Sequence, residues 1–190
     1  MSIEHALISL IQTQPYNTIT VQNIIDQSGY SRKTFYTHFL DKDDLLHHII
    51  QREASVFIEK IILNDAVSAP TLTAYDTVYT PIRQGILDYF RYIYDNQLLY
   101  QEIASDQFPG ISISSLADLI YKEVTAHCHI VFDDKNRELN CDLFCHHCVH
   151  TYMSFIQYWI QNKFAWSPEY LAKQSTMLVH SNISIKLRID

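Results

Sequence analysis

The sequence predicts an all-α fold, and three observations carry that expectation. Only 3 glycines and 5 prolines occur among 190 residues, too few for a chain of tight hairpins. Hydrophobic residues make up 47% and charged residues 18%, the balance of a globular chain rather than a disordered one. The apolar residues recur at i, i+3, i+4, which places them on one face of a helix. A chain of this length fits one large domain, or a small domain joined to a medium one.

The first helix is expected over Ile3 to Gln12, capped by Ser2, with Ile3, Ala6, Leu7, Leu10 and Ile11 as its buried stripe. Gln14-Pro15-Tyr16-Asn17 breaks it, because proline cannot continue a helix and disfavours helix at the residue before it. Thr20 caps a second helix, in which Val21, Ile24 and Ile25 share a face; Ser28-Gly29 ends it, glycine taking the left-handed conformation. Ser31 caps a short third helix, Arg32 to His38. Two short helices joined by a tight glycine-bearing turn make a helix-turn-helix.

Asp41 caps the fourth helix, with Asp43 and Asp44 in its first turn, where the helix dipole favours negative charge. Its apolar pattern continues to Leu63. Residues 64–79, with Pro70 and several Thr and Ser, read as a loop between the halves. Thr80-Pro81 opens a helix to about Tyr94, a short one covers Leu98–Ser105, and Phe108-Pro109-Gly110 stops it. Further helices are expected over Ser114–Phe132, Glu138–Asn162 and, after Ser167-Pro168-Glu169, to Val179; Asp133–Asn136 is a polar turn. That makes about nine helices. The tail from Asn182 alternates Ile183, Ile185, Leu187 and Ile189 at strand spacing and is left unassigned. The domain boundary is placed between residues 46 and 47, giving units 1–46 and 47–190.

Several functional classes are disfavoured. No apolar run reaches the roughly 18 residues of a membrane span, and Met1-Ser2-Ile3-Glu4-His5 lacks the basic and apolar blocks of a signal peptide. Cys128, Cys141, Cys145 and Cys148 sit close together in an otherwise cysteine-free chain, unlike a spread disulfide framework, so a cytoplasmic location is expected. No Gly-rich phosphate loop, nucleophile elbow or paired-carboxylate site presents itself, so no catalytic residue and no cofactor is expected. The net charge of −7 argues against nonspecific nucleic-acid binding by the whole surface. Charge is uneven, however: the three cations of residues 1–50, Arg32, Lys33 and Lys42, lie within eleven positions of one another.

In the third helix Phe35 and Phe39 lie four apart and form an apolar anchor. Arg32, Lys33, Thr34, Tyr36, Thr37 and His38 are donors or small polar groups that project outward, as a reading head in a major groove requires. Thr20 and Ser31 put hydroxyls and unpaired N–H groups at helix starts, where phosphate oxygens bind well.

The stretch from Thr20 to Lys42 carries Ile24-x4-Gly29-x-Ser31, then Thr34-Phe35-Tyr36-x-His38-Phe39, then Lys42 and, just beyond it, Leu45. It resembles the signature of the tetracycline-repressor-like (TetR/AcrR) family of transcriptional regulators. The resemblance implies phosphate contacts from Thr20, Tyr36, His38 and Lys42, and base-edge contacts from Arg32, Lys33, Thr34 and Thr37. It also implies duplex operator DNA as partner, repression as the mode of control, and a small-molecule effector for the second domain. The helix Tyr152–Phe164 followed by Ser167-Pro168-Glu169-Tyr170-Leu171 is similar to the last two helices of that family, which pair with a twofold mate. Tyr152, Phe155, Ile156, Trp159 and Leu171 are expected at a homodimer seam.

Two features have a rival reading. The aromatic run of the second half, Tyr75 to Phe132, suits a pocket for a partly aromatic ligand or a plain core. Cys141, Cys145 and Cys148 at i, i+4, i+7, with His146, His147 and His150 interleaved, offer metal-ligand chemistry. The same stripe continues through Tyr152, Phe155 and Trp159 as an apolar seam, in which cysteine acts as a small hydrophobe. The seam is the stronger reading, and no metal is expected. The alternative to a regulator is a protein-interaction module or co-activator that keeps the fold and works through a partner protein.

Overall fold

The computed structural model describes residues 2–63, 79–105, 107–132, 138–180 and 185–189. Nine α-helices are found among them: α1 Ile3–Ile11, α2 Val21–Ser28, α3 Arg32–His38, α4 Lys42–Ile58, α5 Tyr79–Asp95, α6 Gln97–Ala104, α7 Ile113–His127, α8 Cys141–Gln161 and α9 Pro168–His180. Two short strands, β1 Cys128–Phe132 and β2 Ile185–Ile189, complete the chain. The fold is all-α in class, as the periodicity predicts.

Local chemistry sets the N-terminal elements. Ser2 accepts from the His5 amide to cap α1, and Asp41 accepts from the amides of Asp43 and Asp44 to cap α4. Thr20 and Asn23 form a reciprocal capping box at the start of α2. Gly29, at φ +77°, ends α2 in the left-handed region that a side chain disfavours. Between α1 and α2 the Pro15 break becomes a single 3-10 turn, Tyr16–Thr18.

The structure departs from the sequence reading in three places. α4 does not stay α-helical to Leu63: Glu59–Leu63 form a π-helical turn. α5 packs against this turn at Gly85, where an added Cβ would lie 2.6 Å from the Lys60 carbonyl oxygen and 2.9 Å from Ile61 Cα. α8 starts at Cys141 instead of Glu138, because Asn140 accepts from the Leu143 amide and supplies the cap. α7 stops at His127, and the last five residues predicted for it form β1, antiparallel to β2, with Cys128 opposite Ile189 and Phe132 opposite Ile185. The period-two alternation of the tail is what a strand partner requires, and a helix window over 114–132 cannot see a partner fifty residues away. The predicted loop 64–79, apart from Tyr79 at the start of α5, and the turn 133–136 lie outside the described residues, as do tail residues 182–184 and 190.

One apolar core runs through the protein. α1 packs on α2 and α4, α4 on α7, α7 on α8, and α5 on α9. Trp159, fully buried, is the centre of the α5–α8–α9 layer: its Nε1 donates to the Trp166 carbonyl at 2.9 Å, and its ring meets Phe90, Tyr94 and Phe164. Tyr152, Ile156 and Leu171 are buried with it. These four side chains, expected at a homodimer seam, pack into the core of their own protomer, and Phe155 is half-buried. The outward residues of the same two helices are Leu143, Tyr158, Tyr170, Met177 and Leu178, all 50% exposed or more.

Candidate nucleic-acid interface

Phe35 fixes the third helix. Its ring is 0% exposed, and it meets the Tyr36 and Phe39 rings at 5.4 and 5.8 Å. Phe39 in turn lies edge-on to His48 of α4 at 5.6 Å. With that face anchored, Arg32, Lys33, Tyr36, Thr37 and His38 are exposed, and Thr34 is half-buried. Ser31 accepts from the Thr34 amide at 3.0 Å and lies 2.8 Å from the Thr34 hydroxyl, so the two side chains order the first turn together. Thr37 donates its hydroxyl to the Lys33 carbonyl at 2.8 Å, which leaves it an acceptor and a methyl group to offer a base edge.

The Arg32 guanidinium sits 5.9 Å over the Tyr36 ring, a cation–π pair on the exposed face. It presents a planar donor beside a phenol at i, i+4. Thr20, exposed, donates to Asn23 Oδ1 at 2.7 Å, and its hydroxyl proton is therefore engaged in the cap of α2.

Lys42, expected to contact phosphate, also has partners within the protein. Its ammonium donates to the carbonyls of Tyr16 and Ile19 at 2.8 and 2.9 Å and lies 4.4 Å from the Tyr16 ring centroid. Two of its three protons are spent on the 3-10 turn, and the side chain ties that turn to the start of α4. Tyr16 itself donates to Asp43 Oδ1, and burial together with that carboxylate pushes its phenol pKa far up. In the sequence Tyr16 belongs to the helix break after Gln14, and its aromatic character next to Pro15 is the available sign of an anchor. Tyr30, directly before Ser31, is a further exposed aromatic beside the recognition helix, outside the helical spacing that marks the other residues.

This is a small polar helix, anchored by buried rings, beside a second helix and a left-handed glycine turn. A profile of bacterial regulatory proteins of the tetR family matches residues 3–49, and one of a transcriptional regulator C-terminal region matches residues 81–181. The chain belongs to the TetR family.

Among curated TetR-family relatives, it is 29% identical over 101 residues to the dhaKLM operon transcriptional activator DhaS of Lactococcus lactis, covering 53% of this chain and 46% of the relative. The chain thus spans about half the length of that relative, and less of YxbF from Bacillus subtilis, 35% identical over 54 residues and matched over 14% of its length. A solved structure of the dihydroxyacetone kinase operon activator DhaS superposes with a TM-score of 0.60 at 22% identity, over 95% of this chain and 93% of that one. A TetR-family regulator from Syntrophomonas wolfei superposes with a TM-score of 0.67 at 16% identity, over 94% and 91%. At these identities the superpositions speak for the fold.

The cysteine and histidine row of this TetR-family chain lies on α8. Cys145 is buried, Cys148 is half-buried and Cys141 is exposed. Burial pushes the Cys148 thiol up to about 12. The His146 and His150 rings stack at 4.1 Å, His146 meets Tyr121 edge-on, and His150 Nε2 lies 3.5 Å from Asp118. Among the described residues no group of three or more His, Cys, Asp or Glu is placed to hold a metal ion. Likewise, no described helix is long and apolar enough to cross a membrane.

Proposed function

We propose that this TetR-family chain is a sequence-specific DNA-binding transcriptional regulator that engages a palindromic operator as a homodimer. The observation that carries the reading is the exposure of Arg32, Lys33, Tyr36, Thr37 and His38 on a helix pinned through fully buried Phe35. Arg32 and Lys33 address guanine edges, Thr34 and Thr37 address thymine methyl groups, and Thr20, Ser31, Tyr36 and His38 address phosphates. Residues 1–46 form the DNA-binding domain, and residues 47–190 the regulatory and dimerising domain.

A single recognition helix reads too few base pairs for useful specificity, and twofold pairing sets two of them ~34–36 Å apart, one helical turn of duplex. The exposed faces of α8 and α9, with Leu143, Tyr158, Tyr170, Met177 and Leu178, supply the apolar surface for that pairing. An effector bound among the aromatic residues of the second domain would favour a conformation whose spacing no longer fits the operator, giving ligand-responsive repression in the cytoplasm. The function is one of binding and not of catalysis.

Selection of bound duplexes from a random library by the purified protein tests the reading. A recovered inverted repeat, protected from nuclease cleavage in two successive major grooves, is the expected result. Recovery of no motif above the input library would overturn it. A second reading, an activator working through a partner protein, is favoured by one finding: the similar DhaS proteins are operon activators. Transcription from a promoter carrying the selected site, with and without this chain, separates the two signs of control.

A further inference from the structure

A glutamate on the helix that joins the two halves is 0% exposed. Glu53 of α4 accepts from Tyr92 of α5 at 3.1 Å on one oxygen and from Tyr100 of α6 at 3.0 Å on the other. A third phenol, Tyr89, lies 3.5 Å from the Tyr100 hydroxyl. The same carboxylate takes the Arg52 guanidinium at 2.9 Å, and that guanidinium also pairs with Glu4 of α1. His48, one turn earlier on α4, lies 3.3 Å from Glu4 as well. One guanidinium is therefore shared between a carboxylate of the N-terminal unit and a buried carboxylate whose other partners belong to α5 and α6.

A buried charge is costly unless its hydrogen bonds are complete. The two phenols satisfy Glu53 from one side, which leaves Arg52 free to divide itself between Glu53 and Glu4. If α5 or α6 shifts and withdraws the phenols, the uncompensated carboxylate must draw on the remaining donor, which is Arg52. Each step toward Glu53 weakens the hold on Glu4.

We propose that Arg52 is a positioning residue that sets how firmly α1 is held to α4 according to whether Tyr92 and Tyr100 satisfy Glu53. Phenols in place leave α1 clamped; phenols withdrawn release it. The relay supplies a route for the effector response proposed above. Its test needs neither operator nor effector, so it stands or fails separately from that reading.

Amide hydrogen exchange of the full chain, read on α1 peptides, tests it. Tyr92→Phe with Tyr100→Phe removes both hydroxyls and keeps the rings. Exchange in α1 should rise about fivefold, the size of effect expected for one local interaction. Adding Glu53→Gln removes the charge that pulls Arg52 away, and α1 exchange should return to within about twofold of the parent. A merely structural role for the phenols predicts no such rescue. Unchanged α1 exchange in the double variant, or a rise that Glu53→Gln does not reverse, would overturn the proposal. Peptides of α8 and α9 report whether the double variant keeps its fold; if it does not, Tyr92→Phe alone, with and without Glu53→Gln, gives the same two comparisons.

Discussion

The ring of Tyr16 meets the ring of Phe108 edge-on, with centroids 5.1 Å apart and planes at 82°. Tyr16 sits in the 3-10 turn ahead of the helix-turn-helix, and Phe108 in the segment between α6 and α7. Both are at most 3% exposed. The pair is a second tie between the two halves of the protein, on a different element from the Arg52 clamp.

Phe108→Ala should therefore destabilise the whole chain by about 3–5 kcal/mol, the range for an emptied aromatic site. Phe108→Leu should cost much less, because most of the volume is kept. Denaturant unfolding of both variants checks this, and equal midpoints for alanine and parent would show that the ring is not packed.

The engagement of Lys42 with two carbonyls predicts the salt dependence of operator binding. With Arg32 and Lys33 as the two cations that each protomer brings into the groove, a dimer displaces counterions at about four positions, a slope of log K against log salt near −3.6. Were Lys42 to join them, the slope would be nearer about −5.4. Lys42→Met should lower thermal stability while leaving the slope unchanged, a pair of results that titration by fluorescence anisotropy and a melting curve deliver together.

Gly85→Ala places a methyl group against backbone that cannot swing aside, with the Lys60 oxygen 2.6 Å from the new carbon. A cost of about 1–3 kcal/mol is expected from overpacking of this kind. A Tm equal to the parent's would mean that α5 and the π-helical turn separate more easily than their close approach implies.

The outward residues of α8 and α9 should control assembly, and the inward ones stability. Met177→Asp with Leu178→Asp is expected to yield monomers in sedimentation velocity. Trp159→Phe, which loses the bond to the Trp166 carbonyl, should remain a dimer and lose about 1–3 kcal/mol. Dimers that survive both aspartates would move the interface to another face.

Thiol chemistry should follow burial. With its pKa raised to about 12, Cys148 carries almost no thiolate near neutral pH, whereas Cys141 is exposed. Iodoacetamide should label Cys141 roughly tenfold or more faster than Cys148, since the thiolate is the nucleophile. Peptide mass spectrometry resolves the two sites, and comparable rates would show that the α8 surface opens readily.

What the sequence disclosed depended on range. Ser2, Thr20, Ser31 and Asp41 act within three residues, as does Gly29, so the boundaries of α1 to α4 at their N-terminal ends were legible from spacing alone. The anchoring role of Phe35 followed from the same local periodicity. Tyr152, Ile156, Trp159 and Leu171 were legible as an apolar stripe, but periodicity cannot say whether a stripe faces its own core or a second copy. The partners that hold Lys42 and Arg52 lie beyond the reach of spacing for a related reason. Each is held by groups 23 or more residues away in sequence, at Tyr16 and Ile19 for one and at Glu4 for the other. The strand at Cys128–Phe132 belongs to the same class, since its identity comes from a partner near the other end of the domain.

The π-helical turn at Glu59–Leu63 closes its hydrogen bonds one residue later than α4 does. One extra residue advances a helix by about 100°, so side chains beyond Ile58 are rotated by that angle from the faces α4 had established. The turn thus widens the end of the helix just where α5 crosses it, and the bare backbone of Gly85 is what lets the two approach so closely.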